Sequence, residues 1–275
     1  MTSPLSHRER VRGSLDGHDS VTMQEPEVRQ PDQLPWQVAT VESITIETYR
    51  VKTYRLRLPN WEPFLPGMHY DVRLTAADGY QAQRSYSIAI GPETANVVDL
   101  TVEKIDGGEV SPYFHDVVIV GDRVEVRGPI GGPIAWTGSM GGPLLLIGAG
   151  SGIVPLMSIL RHRENAARHV QTLLLYSSRS PEDVIFGDEL DALADARNGL
   201  QVAHTFTRVT PEDWDGFDRR VDAEMISDVF DRLGAVGRAY VCGPEGFVET
   251  VANALVAAGV NPELIRTERF GPVGG

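Results

Sequence analysis

A change of pattern near residue 138 constrains this chain more than any other feature. Before it, apolar residues alternate in short runs; after it, they form solid runs spaced by helical segments. From Trp36 to about Trp136 the runs WQVATVESITIET, TYRLRL, YDVRLT, QRSYSIAI, VVDLTVEKI and DRVEVRG are divided by turn residues. Six such strands predict a small antiparallel barrel. SPYFHDVVI, preceded by Gly107 and Gly108, is expected to form a short helix that caps it. After the glycine-rich TGSMGGP, the run Leu144 to Ile147 reads as a central parallel strand. GIVPLMSILRHRENAARH reads as its helix, with Pro155 tolerated in the first turn. TLLLYS is the next strand, and Ser180, Pro181 and Asp183 are expected to start the helix that contains DELDALADA. QVAHTFT, AYVCG and a helix from about Glu245 to Ala258 continue the alternation. The expected fold class is therefore β + α/β: an antiparallel β-barrel over 36–138, then a doubly wound parallel sheet over 139–275. Residues 1–35 are polar, carry Pro4, Pro26, Pro31 and Pro35, and are expected as a flexible N-terminal tail.

Charge and cysteine usage then exclude several classes. A formal charge of −13 repels a phosphate backbone, which argues against nucleic-acid and anionic-membrane partners. The first residues hold no apolar run of the length a signal peptide or a membrane span needs, so a cytoplasmic location is expected. The one cysteine, Cys242, forms no internal disulfide and cannot supply the thiolates of an iron–sulfur or cysteine-rich zinc site. No metal is expected, and the chemistry falls to an organic cofactor or to side chains alone.

Three motifs suggest which cofactor. IGAGSGIVP sets Gly148, Gly150, Gly152 and Pro155 between a strand and a helix. Missing side chains let backbone amides approach a diphosphate, and a helix N-terminus favours its charge. The spacing is not the usual G-x-G-x-x-G, and a tight turn without ligand is the alternative. At the next strand end, Tyr176-Ser177-Ser178-Arg179 offers hydroxyls and a guanidinium where an NAD-selective site often places an acid. That suits a 2′-phosphate, although a solvated arginine is also an ordinary reading. In Arg84-Ser85-Tyr86-Ser87, alternation puts Arg84 and Tyr86 on one strand face, an arginine for phosphate beside a tyrosine for a flat ring.

R-S-Y-S, then Gly108-Glu109-Val110-Ser111, GDRVEVRGPIGG, IGAGSGIVP and Cys242-Gly243-Pro244 follow one another in the order and approximate spacing of the ferredoxin-NADP reductase superfamily. From about Trp36 onward the chain resembles that family. The resemblance implies an FAD-binding barrel followed by an NAD(P)-binding domain. It assigns Arg84 to the flavin diphosphate, Tyr86 to the isoalloxazine face and Ser87 to the neighbourhood of flavin N5. Gly108, Val110 and Ser111 complete the diphosphate turn, with Lys104 a further neighbour. Gly148, Gly150, Ser151, Gly152 and Pro155 would hold the nicotinamide dinucleotide, with Ser178 and Arg179 at its 2′-phosphate. Cys242, followed by Gly243 and Pro244, would lie beside the nicotinamide. Glu268 and Phe270 resemble the acid and aromatic that end many members, the acid influencing proton balance and the aromatic shielding the flavin. This sequence departs from the plant-type ending on tyrosine by continuing to Gly275, and a packing role in a terminal strand is the other reading of Phe270.

The expected activity is transfer of hydride from NADPH, with NADH possible, to FAD, followed by electron delivery to a separate carrier such as a ferredoxin or an oxygenase component. Ser87, Cys242 and Glu268 would tune that reaction. Arg50, Lys52, Arg55 and Arg57 are candidates for a basic patch facing the partner. A free flavin or quinone reductase, a flavin-binding electron-transfer subunit without nicotinamide turnover, and an NADPH-sensing module without flavin are the competing readings.

Overall fold

The computed structural model describes residues 34–270. The tail expected over 1–35 lies outside the described residues apart from Leu34 and Pro35, of which Leu34 is buried. Six strands form the first sheet: β1 (Gln37–Thr48), β2 (Val51–Arg57), β3 (His69–Thr75), β4 (Gln81–Ser87), β5 (Val97–Glu103) and β6 (Arg123–Ile130). Their order is β4-β3-β6-β1-β2-β5, every pairing is antiparallel, and a bridge from Ile88 to Leu100 brings the two edge strands together. Closing a sheet in this way removes its unpaired edges. The inward residues Tyr54, Leu56, Tyr70, Val72, Leu100 and Val126 make one core. Helix α1 (Val110–Asp116) plugs it with Phe114, whose ring meets Tyr54 edge-on at 5.0 Å. The Tyr54 hydroxyl donates to the Phe114 carbonyl at 2.6 Å, so the ring arrives with a polar tie. Phe114→Ala would leave a cavity costing about 3–5 kcal/mol.

The second sheet is parallel, in the order β11-β10-β7-β8-β9. Its strands are β7 (Leu144–Ala149), β8 (Thr172–Ser178), β9 (Leu200–Phe206), β10 (Arg238–Pro244) and β11 (Ile265–Phe270). Helices α2 (Ile153–Ala166) and α3 (Gly187–Asp195) cover one face and α4 (Ala223–Leu233) and α5 (Glu245–Ala257) the other. Burial on both faces explains why β8 is buried throughout and reads as a solid apolar run. The chain leaves β7 toward β8 and β9, then returns to pair β10 on the opposite side of β7. The crevice beyond the carboxyl ends of β7 and β10 is thus the switch point where open α/β sheets bind ligands. Trp136 and Ile134, at the end of the barrel segment, pack into the core that α2 shares.

Two local expectations need correction. Ser180, Pro181 and Asp183 do not begin α3: they form a separate single turn, Pro181–Asp183, with the Ser180 hydroxyl donating to Asp183 at 2.9 Å. The chain then straightens at Val184, passes through a left-handed Phe186 and restarts at Gly187. Helix α4 was not anticipated, although its signals are local. Asp222 caps it by accepting from the Met225 amide at 2.9 Å, and Gly234 ends it at φ +76°.

Candidate active site

A cleft of about 790 Å³ opens at the switch point. Thr48, Arg50, Val51 and Glu103 line it from the barrel; Gly150, Ser151, Ser178, Arg179, Pro244 and Phe270 line it from the parallel sheet. The glycine loop at its base is shaped by two close approaches. A Cβ on Gly152 would stand 2.2 Å from the Cys242 carbonyl oxygen, so only glycine lets α2 begin this close to β10. Gly150 sits at φ +54°, in the left-handed region. The Tyr176 hydroxyl donates to the Gly150 carbonyl at 3.1 Å and accepts from the Ile185 amide at 3.3 Å, fastening the loop to β8. Pro155 is buried in the first turn of α2.

Below this loop, parallel register aligns Gly148, Cys242 and Glu268 across β7, β10 and β11. Cys242 is fully buried. Burial, with the Glu268 carboxylate beside it, pushes its thiol well above the usual range, so it is a neutral group. Burial raises the Glu268 carboxyl to about 7, and its Oε2 is enclosed without a hydrogen-bond partner. That oxygen lies 3.9 Å from the position a Cβ on Gly132 would take, so Glu268 meets the end of the barrel segment. An enclosed acid titrating near neutrality at a domain junction is suited to holding or releasing a proton. Phe270 is half-buried on β11 opposite Pro244, which gives it a strand-packing role and a place on the cleft wall together.

Ser178 and Arg179 reach the cleft as the strand ending predicts. Asp183 accepts from Arg179 at 3.4 Å and so meets part of its charge. Arg220 is the contribution that spacing did not reveal. It lines the same cleft and makes no ion pair among the described residues, while its neighbour Arg219 is bound to Asp222 and Glu224. The Thr205 hydroxyl donates to the Arg219 carbonyl and holds this loop over the strand ends. Thr207 and Phe247, also on the cleft wall, had no motif to mark them.

The barrel residues form a second group around β4 and α1, away from the cleft lining. Arg84 is exposed, donates to the Gln83 carbonyl at 2.7 Å and has no ion pair among the described residues. Tyr86 stands 6.1 Å from Phe114 between ring centroids, and burial raises its hydroxyl. Ser87 is buried at the end of the same strand. In the turn before α1, the Gly108 amide donates to Ile105 at 3.1 Å and the Ser111 hydroxyl accepts from the Ile105 amide at 3.1 Å. Val110 is buried in the first turn of α1. Lys104 instead spends its ammonium on Asp116, at 2.7 and 2.8 Å. The expected basic patch is not a free one. Arg55 pairs with Asp99 at 2.8 Å, Arg57 with Glu42, and Lys52 donates to the His115 carbonyl. Arg50 donates to the Lys104 carbonyl at 2.9 Å and lines the cleft. No helix among the described residues is long and apolar enough to cross a membrane.

Comparison with known proteins agrees with both halves. Residues 38–133 match the oxidoreductase FAD-binding domain family and residues 146–253 the oxidoreductase NAD-binding domain family. The chain is 30% identical over 225 residues to the reductase component of propane 2-monooxygenase from Rhodococcus jostii, covering 78% of this chain and 59% of that protein. It is 28% identical over 187 residues to NADH-cytochrome b5 reductase 2 from Scheffersomyces stipitis, covering 68% of this chain and 62% of that one. It thus spans about three fifths of the length of these relatives. Its fold is similar to that of a ferredoxin NADP+ reductase from Neisseria gonorrhoeae with bound FAD and NADP (TM-score 0.72, 20% identity, 85% of this chain and 98% of that one). An Amycolatopsis cytochrome P450 reductase shares it as well (TM-score 0.74, 23% identity, 88% and 72%). With the FAD-binding match followed by the NAD-binding match over most of its length, on the fold those structures share, the chain belongs to the oxidoreductases that join an FAD-binding domain to an NAD-binding domain.

Proposed function

We propose that this chain is an FAD-dependent NAD(P)H oxidoreductase that passes electrons to a separate acceptor protein. The observation that carries the reading is the junction itself. At the switch-point cleft a glycine loop too tight for a Cβ lies over a buried neutral thiol and an acid raised to about 7, and that acid meets the end of the barrel segment. The residues also fit the two groups they would hold. Arg84 is a guanidinium with no ion pair among the described residues, two positions from a half-buried tyrosine, and the cleft has room for a dinucleotide.

When bound, FAD would supply a group able to accept a hydride, one proton with two electrons, from a nicotinamide and to release electrons singly. In this assignment Arg84 and the amides around Gly108, Val110 and Ser111 bind the flavin diphosphate. Tyr86 would cover the ring, and Ser87 would donate near its edge. Lys104 acts through Asp116, by fixing α1. Gly148 to Pro155 hold the dinucleotide diphosphate, with Ser151 toward the nicotinamide. Cys242, Gly243 and Pro244 would form the floor beneath the nicotinamide, where the thiol is enclosed and neutral. Glu268, raised to about 7, is poised between its protonated and ionised forms at neutral pH and could exchange a proton at the junction. Phe270 closes the cleft beside Pro244.

NADPH is the proposed donor, supported by Ser178 and Arg179 at the strand end, with NADH the second reading because Asp183 already engages that arginine. The acceptor is proposed to be an oxygenase component or ferredoxin-like carrier, by analogy with the propane monooxygenase relative. A cytoplasmic location, and two units divided at 138/139, complete the reading. Anaerobic mixing of the FAD-loaded protein with NADPH or NADH, followed by flavin absorbance, tests it. Bleaching is expected with at least one of them. A protein that takes up no flavin, or whose flavin neither nucleotide bleaches, removes the assignment.

A further inference from the structure

The strand that carries Tyr86 and Ser87 runs straight into Ile88–Ile90, which the barrel holds by two backbone bonds, Ile88 to Met68 at 2.9 Å and Ala89 to Asp99 at 2.8 Å. The glycine loop runs equally directly into α2. These two continuations grip each other. The fully buried Ser158 hydroxyl donates to the Ile90 carbonyl at 2.7 Å. Arg161, one turn on, donates to the Ala89 carbonyl at 2.9 Å. Its other nitrogens bind both oxygens of Glu189 on α3 at 2.8 and 2.6 Å, and its guanidinium lies 5.0 Å from the centre of the Phe186 ring. His162 adds a 2.5 Å contact to Glu93. At Gly91 the loop packs in ordinary contact with α2: a Cβ there would lie 3.5 Å from both the Arg161 Cβ and the His162 amide nitrogen, and 2.5 Å from the Glu93 carboxylate.

We propose that Arg161, with Ser158, is a positioning residue: it locks the flavin-bearing strand to the nicotinamide-bearing helix and so sets the distance over which hydride passes. The inference rests on the function proposed above and adds residues that touch neither ligand. The two grips lie three residues apart on one helix face, and each ends on a carbonyl within four residues of Tyr86. Arg161 also ties barrel, α2 and α3 together. Misplacement of reacting atoms by about 1 Å can slow a reaction on the order of 100-fold, so loosening this grip should affect the transfer step before it affects binding.

The test uses the FAD-loaded full chain carrying Arg161→Gln, Arg161→Lys or Ser158→Ala, with the parent alongside. One readout is the limiting rate of flavin reduction against nucleotide affinity under anaerobic conditions. The other is the distance distribution between spin labels on Ile119→Cys and Val256→Cys, exposed positions of the two halves, with Cys242 buried and unlabelled. Arg161→Gln is expected to slow the limiting rate about 10-fold, leave affinity within about twofold and broaden the label distances, with partial recovery in Arg161→Lys. Should Arg161→Gln lose its flavin, Ser158→Ala, which deletes one enclosed hydroxyl, gives the same readouts. Unchanged rate and distances in flavin-loaded variants of a parent that is itself reduced overturn the positioning role alone. A parent that neither nucleotide reduces overturns the proposed function and this inference with it.

Discussion

In the barrel half the candidate contacts at β4 are side chains on an ordinary strand, with Arg84 exposed and Tyr86 half-buried against Phe114. In the parallel-sheet half they are largely backbone, packed so that Gly152 has no room for a single added carbon beside Cys242. The first bed can be altered without disturbing the fold beneath it, whereas the second is part of the fold. Loss of ligand and loss of stability should therefore separate in one half and coincide in the other.

The sharpest way to break that contrast is Gly152→Ala. The new Cβ meets the Cys242 carbonyl at 2.2 Å, and overpacking of this kind costs about 3 kcal/mol or more when the obstacle is backbone. Thermal unfolding should show a large drop together with lost nucleotide binding; a native melting temperature would show that α2 can shift to make room. Arg84→Ala should do the reverse. Losing one charge-assisted contact of about 2–3 kcal/mol leaves protein poor in FAD by absorbance, with an unchanged melting temperature for the ligand-free form. Arg179→Ala should raise KM for NADPH about 10-fold, equivalent to about 1.4 kcal/mol, with little change for NADH. Equal changes would remove the 2′-phosphate assignment, and adding Arg220→Ala asks whether the second guanidinium shares that role.

The smallest expected effect belongs to Glu268. Its folded value of about 7 lies above the ordinary 4.5, so the folded state keeps a proton that the unfolded chain gives up. The resulting stability is complete below about pH 4.5 and is lost as pH rises through about 7. Glu268→Gln should thus flatten the pH dependence of unfolding and gain on the order of 1 kcal/mol at pH 8, discounted for partial exposure. A parent whose stability does not fall over that interval would show that the carboxyl ionises freely at the junction.

The same contrast explains what could be read in the sequence. Barrel strands advertise themselves by alternation, and all six runs fall on β1 to β6. The solid runs of β7 and β8 and the glycine loop were equally legible, because burial on both faces and close backbone approach each leave a compositional trace. Ser180 and Pro181 misled because a cap-like trio fits a single turn as well as a helix, and the left-handed Phe186 between them and α3 has no sequence signature. Arg220 was invisible for a different reason. Its place on the cleft depends on a loop tied back across β9 by Thr205, a tertiary contact that no local spacing encodes. The pairing within the basic patch was hidden likewise, since Asp99 and Glu42 reach Arg55 and Arg57 only across paired strands.

Trp136 is enclosed where the barrel segment ends against α2, its ring edge-on to His162 at 5.7 Å and its indole nitrogen donating to the Gly141 carbonyl at 3.1 Å. A fluorophore so sheltered should emit toward the blue and resist aqueous quenchers for as long as the two halves stay joined. Once the other three tryptophans are replaced, the seam carries its own optical gauge, able to register parting of the halves in solution without any added label.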